Sequence, residues 1–169
     1  MAGLQATYLG MPLRVDDLDH ENLDYFKHCA AHDFHLQACA QCNRLRYPPT
    51  TACPWCMALE WDWKEVSGKG HIYSYEVVHH AIQPGFKEWT PYAVVLVELD
   101  EQRGKPTDDE ALRMIGNLVT PDGKAEAESK VAIGKRVRVV FQDLSEDFAL
   151  PQFTLTDEPP VGRVWSLPG

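Results

Sequence analysis

The chain has 169 residues, 44% of them apolar, which suffices for one ordinary core or for a compact domain carrying a small satellite module, so one principal domain is expected. Asp and Glu outnumber Lys and Arg by 25 to 16, and the net charge of −9 disfavours nucleic acid as a partner because the surrounding field repels polyanions. No apolar stretch approaches the length needed to cross a bilayer, and "MAGLQATYLGMPLRV" has neither the charged n-region nor the unbroken apolar h-region of a signal peptide, so no membrane association and a cytoplasmic location are expected.

Residues 1–16 carry Gly3, Gly10 and Pro12 without sustained periodicity and read as an arm that orders only against something else. The pattern changes at "DHENLDYFKHCAAH", where Asp19 is placed to cap a helix, Glu21 lies in its first turn, and Leu23, Phe26 and Ala30 recur at helical spacing. Cys29 falls in this helix as a packing residue. "DFHLQAC" then alternates as a strand, with Phe34 and Leu36 on one face.

Further on, "LEWDWKEVSGKGHIYSYEVVHH" reads as strand, turn and long strand, broken at Ser67-Gly68-Lys69-Gly70. "PYAVVLVELD" is rich in β-formers from Tyr92 to Leu99, and "ALRMIGNLVT" and "KRVRVVFQDL" follow at intervals broken by Gly and Pro. Several strands without an interior helix predict a small antiparallel barrel, because closure removes the exposed edges that an open sheet must defend. The polar segment Glu101–Glu110 is a loop between two of those strands, and "DEPPVGRVWSLPG" is too rich in Pro and Gly to form an element and reads as a second arm.

Four of the five cysteines fall in "QACAQCNRLRYPPTTACPWC", as two Cys-x-x-Cys knuckles ten residues apart: Cys39 with Cys42, and Cys53 with Cys56. Each knuckle lets two thiolates converge from a tight turn, and two knuckles supply the tetrahedral Cys₄ shell of a structural zinc site. A thioredoxin-type redox pair needs one such motif at a helix start in a βαβ context, which this text lacks. Iron also accepts a tetrahedral sulfur set, so spacing alone leaves zinc and iron open. Between the knuckles, Arg44 and Arg46 beside Tyr47, Pro48 and Pro49 make a small basic tip, a candidate seat for a phosphate or simply a solvated turn.

With these residues in view the sequence resembles an acyl-CoA-associated domain-of-unknown-function family that joins an N-terminal helix, a rubredoxin-like zinc ribbon and an OB-fold. The resemblance runs through "FHLQACAQC", "RLRYPPTTACPWC", "EWDWKEVSGKGHIYSYEVVHH", "PYAVVLVELDE", "MIGNLV" and "IGKRVRVVFQ" to "LPQFTL", in the family's order and over most of the chain. It implies a mainly β fold: an arm and amphipathic helix over 1–36, a Cys₄ zinc ribbon over 37–60, an OB-fold barrel over 61–156 and a C-terminal arm over 157–169. It further implies a non-catalytic accessory subunit of a thiolase-superfamily enzyme, a thiolase or thiolase-like aldolase, in a hetero-oligomer acting on acyl-CoA thioesters. Structural zinc and a CoA ester shared with the partner are the implied ligands. The loop "EQRGKPTDDE" and the tail beyond Phe153, with Trp165, depart from the family pattern and leave the partner's identity open.

Besides the four metal-ligating cysteines, Arg44, Arg46, Phe86, Trp89 and Tyr92 are the candidate contacts to CoA or to the partner; for the aromatics of "GFKEWTPY", burial at the barrel mouth is an equal alternative. Two other functions compete. A single-stranded nucleic-acid-binding OB-fold would need basic residues tracking a backbone, and Arg136 with Arg138 is a meagre stripe. An acyl-CoA hydratase is the alternative partner enzyme. His79-His80 and the helical pair His28 and His32 are titratable, yet no carboxylate constellation or nucleophile motif accompanies them, so no catalytic residue is assigned.

Overall fold

In the computed structural model, which describes residues 3–167, the segment read as an N-terminal arm is a hairpin. Strand β1 (Leu4–Tyr8) pairs antiparallel with β2 (Met11–Val15), Leu4 opposite Val15 and Tyr8 opposite Met11. Leu9 and Gly10 between them take φ of +50° and +76°, the positive pair of a type I′ turn whose twist matches that of the strands it joins. The arm expectation fails because the short alternation buries a face: Leu4 and Val15 cluster with Leu23 and Phe148, and Ala6, Leu13, Phe26 and Leu150 pack against that cluster.

Helix α1 (His20–Ala30) forms where the sequence places it. Asp19 accepts the Asn22 N–H at 3.2 Å as the N-cap, and Leu23, Tyr25 and Cys29 are buried. Burial pushes the Cys29 thiol up to about 12, in keeping with a packing role. The helix closes in a Schellman motif: His32 sits at φ +54° and donates to Cys29 O, while Asp33 N–H returns to His28 O, both at 3.0 Å.

The chain forms two compact units, the first comprising residues up to Ser67 with Glu101–Leu112 and Asp143–Leu150. Besides the hairpin and α1, it holds a three-stranded antiparallel sheet in the order β4 (Leu45–Arg46), β3 (His35–Cys39), β5 (Trp61–Glu65). Strand β5, read from sequence as the first of the barrel, pairs instead with β3 over its whole length, from His35 opposite Glu65 to Cys39 opposite Trp61. Alternation shows that "WDWKE" is a strand; it does not name the partner. The polar loop after Asp100 contributes Gln102, which is buried and accepts the Leu45 N–H at 2.9 Å while donating to Leu45 O at 3.2 Å. Its amide thus stands in for a neighbouring strand along the edge of β4.

The second unit comprises Gly68–Asp100, Arg113–Gln142 and the chain from Pro151. Its sheet has the order β10 (Phe148–Leu155), β9 (Arg136–Ser145), β6 (Lys69–Val78), β7 (Tyr92–Leu99), β8 (Arg113–Asn117), with the outer ends of β9 and β10 counted in the first unit. Past the end of β8, Leu118 bridges Phe153 of β10 and Val119 N–H donates to Phe153 O at 2.8 Å, which brings the two outermost strands together. Ile72, Val95, Val97, Leu99, Met114, Leu118 and Phe153 fill the interior. A bulge between Ile72 and Ser74 shifts the β6–β7 register, which accounts for the imperfect alternation of β6.

The tail beyond Asp157, expected as an arm, lies along this unit: Val161 N–H donates to Gly134 O at 2.8 Å, and Ile133 and Trp165 exchange backbone hydrogen bonds at 2.7 and 3.2 Å. Arg136, one half of the meagre basic stripe, is buried, donates to Asp100 Oδ1 at 2.8 Å and to Glu158 Oε2 at 3.1 Å, and is held in its charged form chiefly by the Asp100 hydrogen bonds. Among the described residues, no helix is long and apolar enough to cross a membrane.

Where β6 runs beside the end of β7, a Cβ on Gly70 would sit 2.5 Å from Glu98 O and 2.7 Å from Val97 Cγ1. Gly70→Ala is therefore expected to destabilise the barrel by about 1–3 kcal/mol, the usual cost of overpacking, as a lowered denaturation midpoint at unchanged slope. A neutral midpoint would show that the two backbones can part freely.

Candidate metal centre and ligand-contact residues

The two knuckles have the same hydrogen-bond pattern. In the first, Cys39 N–H donates to Arg44 O at 3.0 Å and Asn43 N–H donates to Cys39 O at 2.9 Å; in the second, Cys53 N–H donates to Ala58 O at 2.8 Å and Met57 N–H to Cys53 O at 2.9 Å. Asn43 and Met57, each directly after a knuckle's second cysteine, take φ of +58° and +64°. Asn tolerates the left-handed region; Met does so at a steric cost that the surrounding hydrogen bonds must offset.

This duplication converges four sulfurs. Cys39 Sγ lies 3.6 Å from Cys56 Sγ, Cys42 Sγ lies 3.6 Å from Cys53 Sγ, and all four fall within 4.8 Å of one another. Zn–S bonds of about 2.3 Å at tetrahedral angles place sulfurs roughly 3.8 Å apart, so the cluster fits one ion with small adjustment. Backbone donors favour thiolates at two positions: the Cys42 N–H holds the Cys39 thiol below its usual value, and Cys53, which burial pushes up, is brought down to about 6 by the N–H groups of Cys56 and Trp55. Four protein ligands complete a tetrahedral shell, so such a centre staples loops and leaves no position for substrate.

The basic tip is not what the sequence suggested. Arg46 is only 3% exposed: its Nε donates to Gln37 Oε1 at 2.8 Å, its Nη2 donates to Thr50 O at 2.9 Å, and its guanidinium faces the Trp61 ring at 5.9 Å. Thr50 N–H donates to the same Gln37 oxygen at 2.8 Å. Arg46 thus ties β4 and the Thr50 loop to β3, and its expected role as a surface contact to CoA is corrected: the guanidinium is used internally. Arg44 is half-buried and lies over Trp55 at 5.1 Å, inside the second knuckle's turn. Sequence reasoning missed Gln37, Thr50 and Gln102, polar residues with no motif to announce that they are interior partners.

The three aromatics gather in the second unit. Pro84–Trp89 is a 3₁₀ segment leading into β7, Phe86 stacks on Tyr92 with centroids 5.0 Å apart, and Phe86 meets Trp89 edge-on at 6.1 Å. All three are half-buried, and Ile82 just before them is 90% exposed.

A family profile described as "ChsH2, C-terminal OB-fold domain" matches residues 63–142. A "DUF35 domain-containing scaffold protein" of Methanocaldococcus jannaschii is 34% identical over 110 residues, covering 64% of this chain and 67% of that protein. The chain belongs to the DUF35 family. A solved DUF35 chain, described as "Ltp2-ChsH2(DUF35) aldolase", superposes with a TM-score of 0.65 at 33% identity, over 83% of this chain and 98% of that one. The "Probable enoyl-CoA hydratase alpha subunit" of Thermomonospora curvata is 34% identical over 136 residues, covering 80% of this chain, which spans 38% of that relative's length.

Loss of the buried fork should be felt in the ribbon. Arg46→Ala removes two hydrogen bonds from a charged donor and is expected to cost roughly 2–3 kcal/mol, read by the fluorescence of Trp61 and Trp63 during denaturation. Arg46→Lys should not restore it, since an ammonium cannot reproduce the fork. Wild-type stability in Arg46→Ala would return Arg46 to the surface.

Proposed function

We propose that this chain is a non-catalytic accessory subunit of an enzyme complex acting on acyl-CoA thioesters, and that the enzyme it serves is a thiolase-type aldolase. The observation that carries the reading is the likeness to a DUF35 chain of an aldolase assembly over 98% of that chain's length, covering ribbon and barrel together. The metal is zinc: an all-thiolate tetrahedral set suits it, and its d¹⁰ shell brings no redox chemistry to a structural clamp. A saturated centre supplies neither a Lewis-acid site nor an activated water, so the reacting groups come from the partner. This chain supplies shape. Phe86, Trp89 and Tyr92, half-buried beside the exposed Ile82, are of the type that anchors an interface, and Arg44 remains the candidate contact to an anionic CoA group on the ribbon side.

A second reading keeps the accessory role and changes the partner. The relative named as an enoyl-CoA hydratase alpha subunit matches 80% of this chain within a protein more than twice as long, which favours a hydratase as the neighbour. Purification of the native complex, removal of this subunit and assay of both aldol cleavage of an acyl-CoA and hydration of an enoyl-CoA separate the two. Aldol cleavage should fall by about tenfold or more, ~1.4 kcal/mol in the barrier, and return on adding the subunit back. The isolated chain should catalyse neither reaction and should carry zinc without the red colour of a thiolate-bound iron. Loss confined to hydration would replace the aldolase with a hydratase. Turnover by the isolated chain, or undiminished activity without it, would overturn the accessory role.

A further inference from the structure

The turn between α1 and β3 collects three side chains that the tetrathiolate does not use. His28 lies in the last turn of α1, Asp33 ends the Schellman motif, and His35 opens β3. The two imidazoles stack with centroids 4.3 Å apart and planes at 25°, beside Trp63, whose ring is 5.2 Å from that of His28. The Asp33 carboxylate reaches both: Oδ2 is 3.9 Å from His28 Nδ1 and Oδ1 is 3.3 Å from His35 Nδ1. One donor atom from each residue lies within 4.8 Å of the other two.

Two bonds of about 2.1 Å to a shared ion span at most ~4.2 Å, so both carboxylate–imidazole separations fit an ion held between them. We propose that His28, Asp33 and His35 form a second metal site, an N₂O set for a borderline divalent ion such as zinc, cobalt or nickel, open to solvent on the Asp33 side. The donor chemistry distinguishes it from the all-sulfur centre, since imidazole and carboxylate select differently from thiolate. Solvent access follows from exposure: the Asp33 side chain is 53% exposed, against 28% for His28 and 17% for His35. His35 Nδ1 donates to Asp33 O at 3.1 Å, a proton that an ion would displace, and rotation of the rings about χ2, a broad torsion, turns both imidazoles toward the Asp33 carboxylate.

The helical pair His28 and His32, which the sequence singles out, is not the donor set. His32 leaves the helix at φ +54° and its Nε2 lies 2.7 Å from Asp143 Oδ1. The turn that carries His32 away is the one that places Asp33 and brings His35 back over His28. An ion at this point would tie the end of α1 to the start of β3 and stabilise the first unit by mass action.

The test uses the full-length, tag-free protein with its thiolate centre loaded with zinc, titrated stoichiometrically with Co²⁺ and followed by absorbance, bound-metal analysis and thermal denaturation. One further cobalt per chain is expected, without a thiolate-to-cobalt charge-transfer band and with a raised Tm. Even an outer-shell change typically costs ~10–100-fold in metal affinity. His28→Gln and the exposed Asp33→Asn should therefore each weaken cobalt binding by at least ~10-fold, with zinc content and fold unchanged. No cobalt bound at stoichiometric concentration would overturn the site. So would binding undiminished in both variants, or a charge-transfer band showing that cobalt had entered the cysteines.

Discussion

Convergence of four thiolates is the constraint on which the first unit's ribbon depends. Strand β4 is two residues long, most of the chain between Cys39 and Cys56 is turn, and the interior partners of the ribbon are polar: Gln37, Arg46 and the Thr50 backbone. Arg46 Nη1 and Gln37 Nε2 have no acceptor among the described residues, so hydrogen bonding alone leaves this interior incompletely satisfied. A short sheet whose interior mixes Leu36 and Leu45 with Gln37 and Arg46 gains less from apolar burial than the barrel does. An ion bound by four sulfurs contributes folding energy directly, and the repeated knuckle with its left-handed Asn43 and Met57 is the geometry that lets the chain hold one.

The barrel rests on a different interaction. Its interior is aliphatic, built from Ile72, Val95, Val97, Leu99 and Met114, and its outermost strands are joined through Leu118, Val119 and Phe153. Gly70 marks where two backbones come too close for a side chain, and the buried Arg136, held by Asp100 and Glu158, fixes the start of β9 to the tail. The two units differ in what can close them: four converging sulfurs able to hold an ion in the first, and hydrocarbon in the second. The proposed accessory role matches this division, in which the scaffold presents surfaces and a partner would perform the chemistry.

What was legible in the sequence follows from the range of each signal. The knuckles were readable because metal geometry dictates local spacing, and α1 because Asp19 and the Leu23–Phe26–Ala30 spacing are short-range features. Strand β7 announced itself through β-formers from Tyr92 to Leu99. The β1–β2 hairpin stayed hidden because its turn is Leu-Gly, without the Asn-Gly or Asp-Gly signature, and its burial depends on Phe148 and Leu150, more than a hundred residues away. The pairing of β5 with β3 is not legible because alternation carries no partner information, and the burial of Arg46 is not legible because its partner, Gln37, becomes visible only once β3 and β4 are paired. Phe86, Trp89 and Tyr92 do come together, as a half-buried group consistent with either an anchor or a barrel-mouth packing cluster.

The claim that a metal organises the ribbon while hydrocarbon organises the barrel is tested most directly by amide hydrogen exchange before and after chelation of the metal. Exchange at Cys39, Asn43, Cys53 and Met57, whose N–H groups close the two knuckles, should accelerate by orders of magnitude on metal removal, while Val95 and Val97 in the barrel keep their protection. Knuckle amides that stay protected without metal would contradict the account, because the polar ribbon would then be holding itself together.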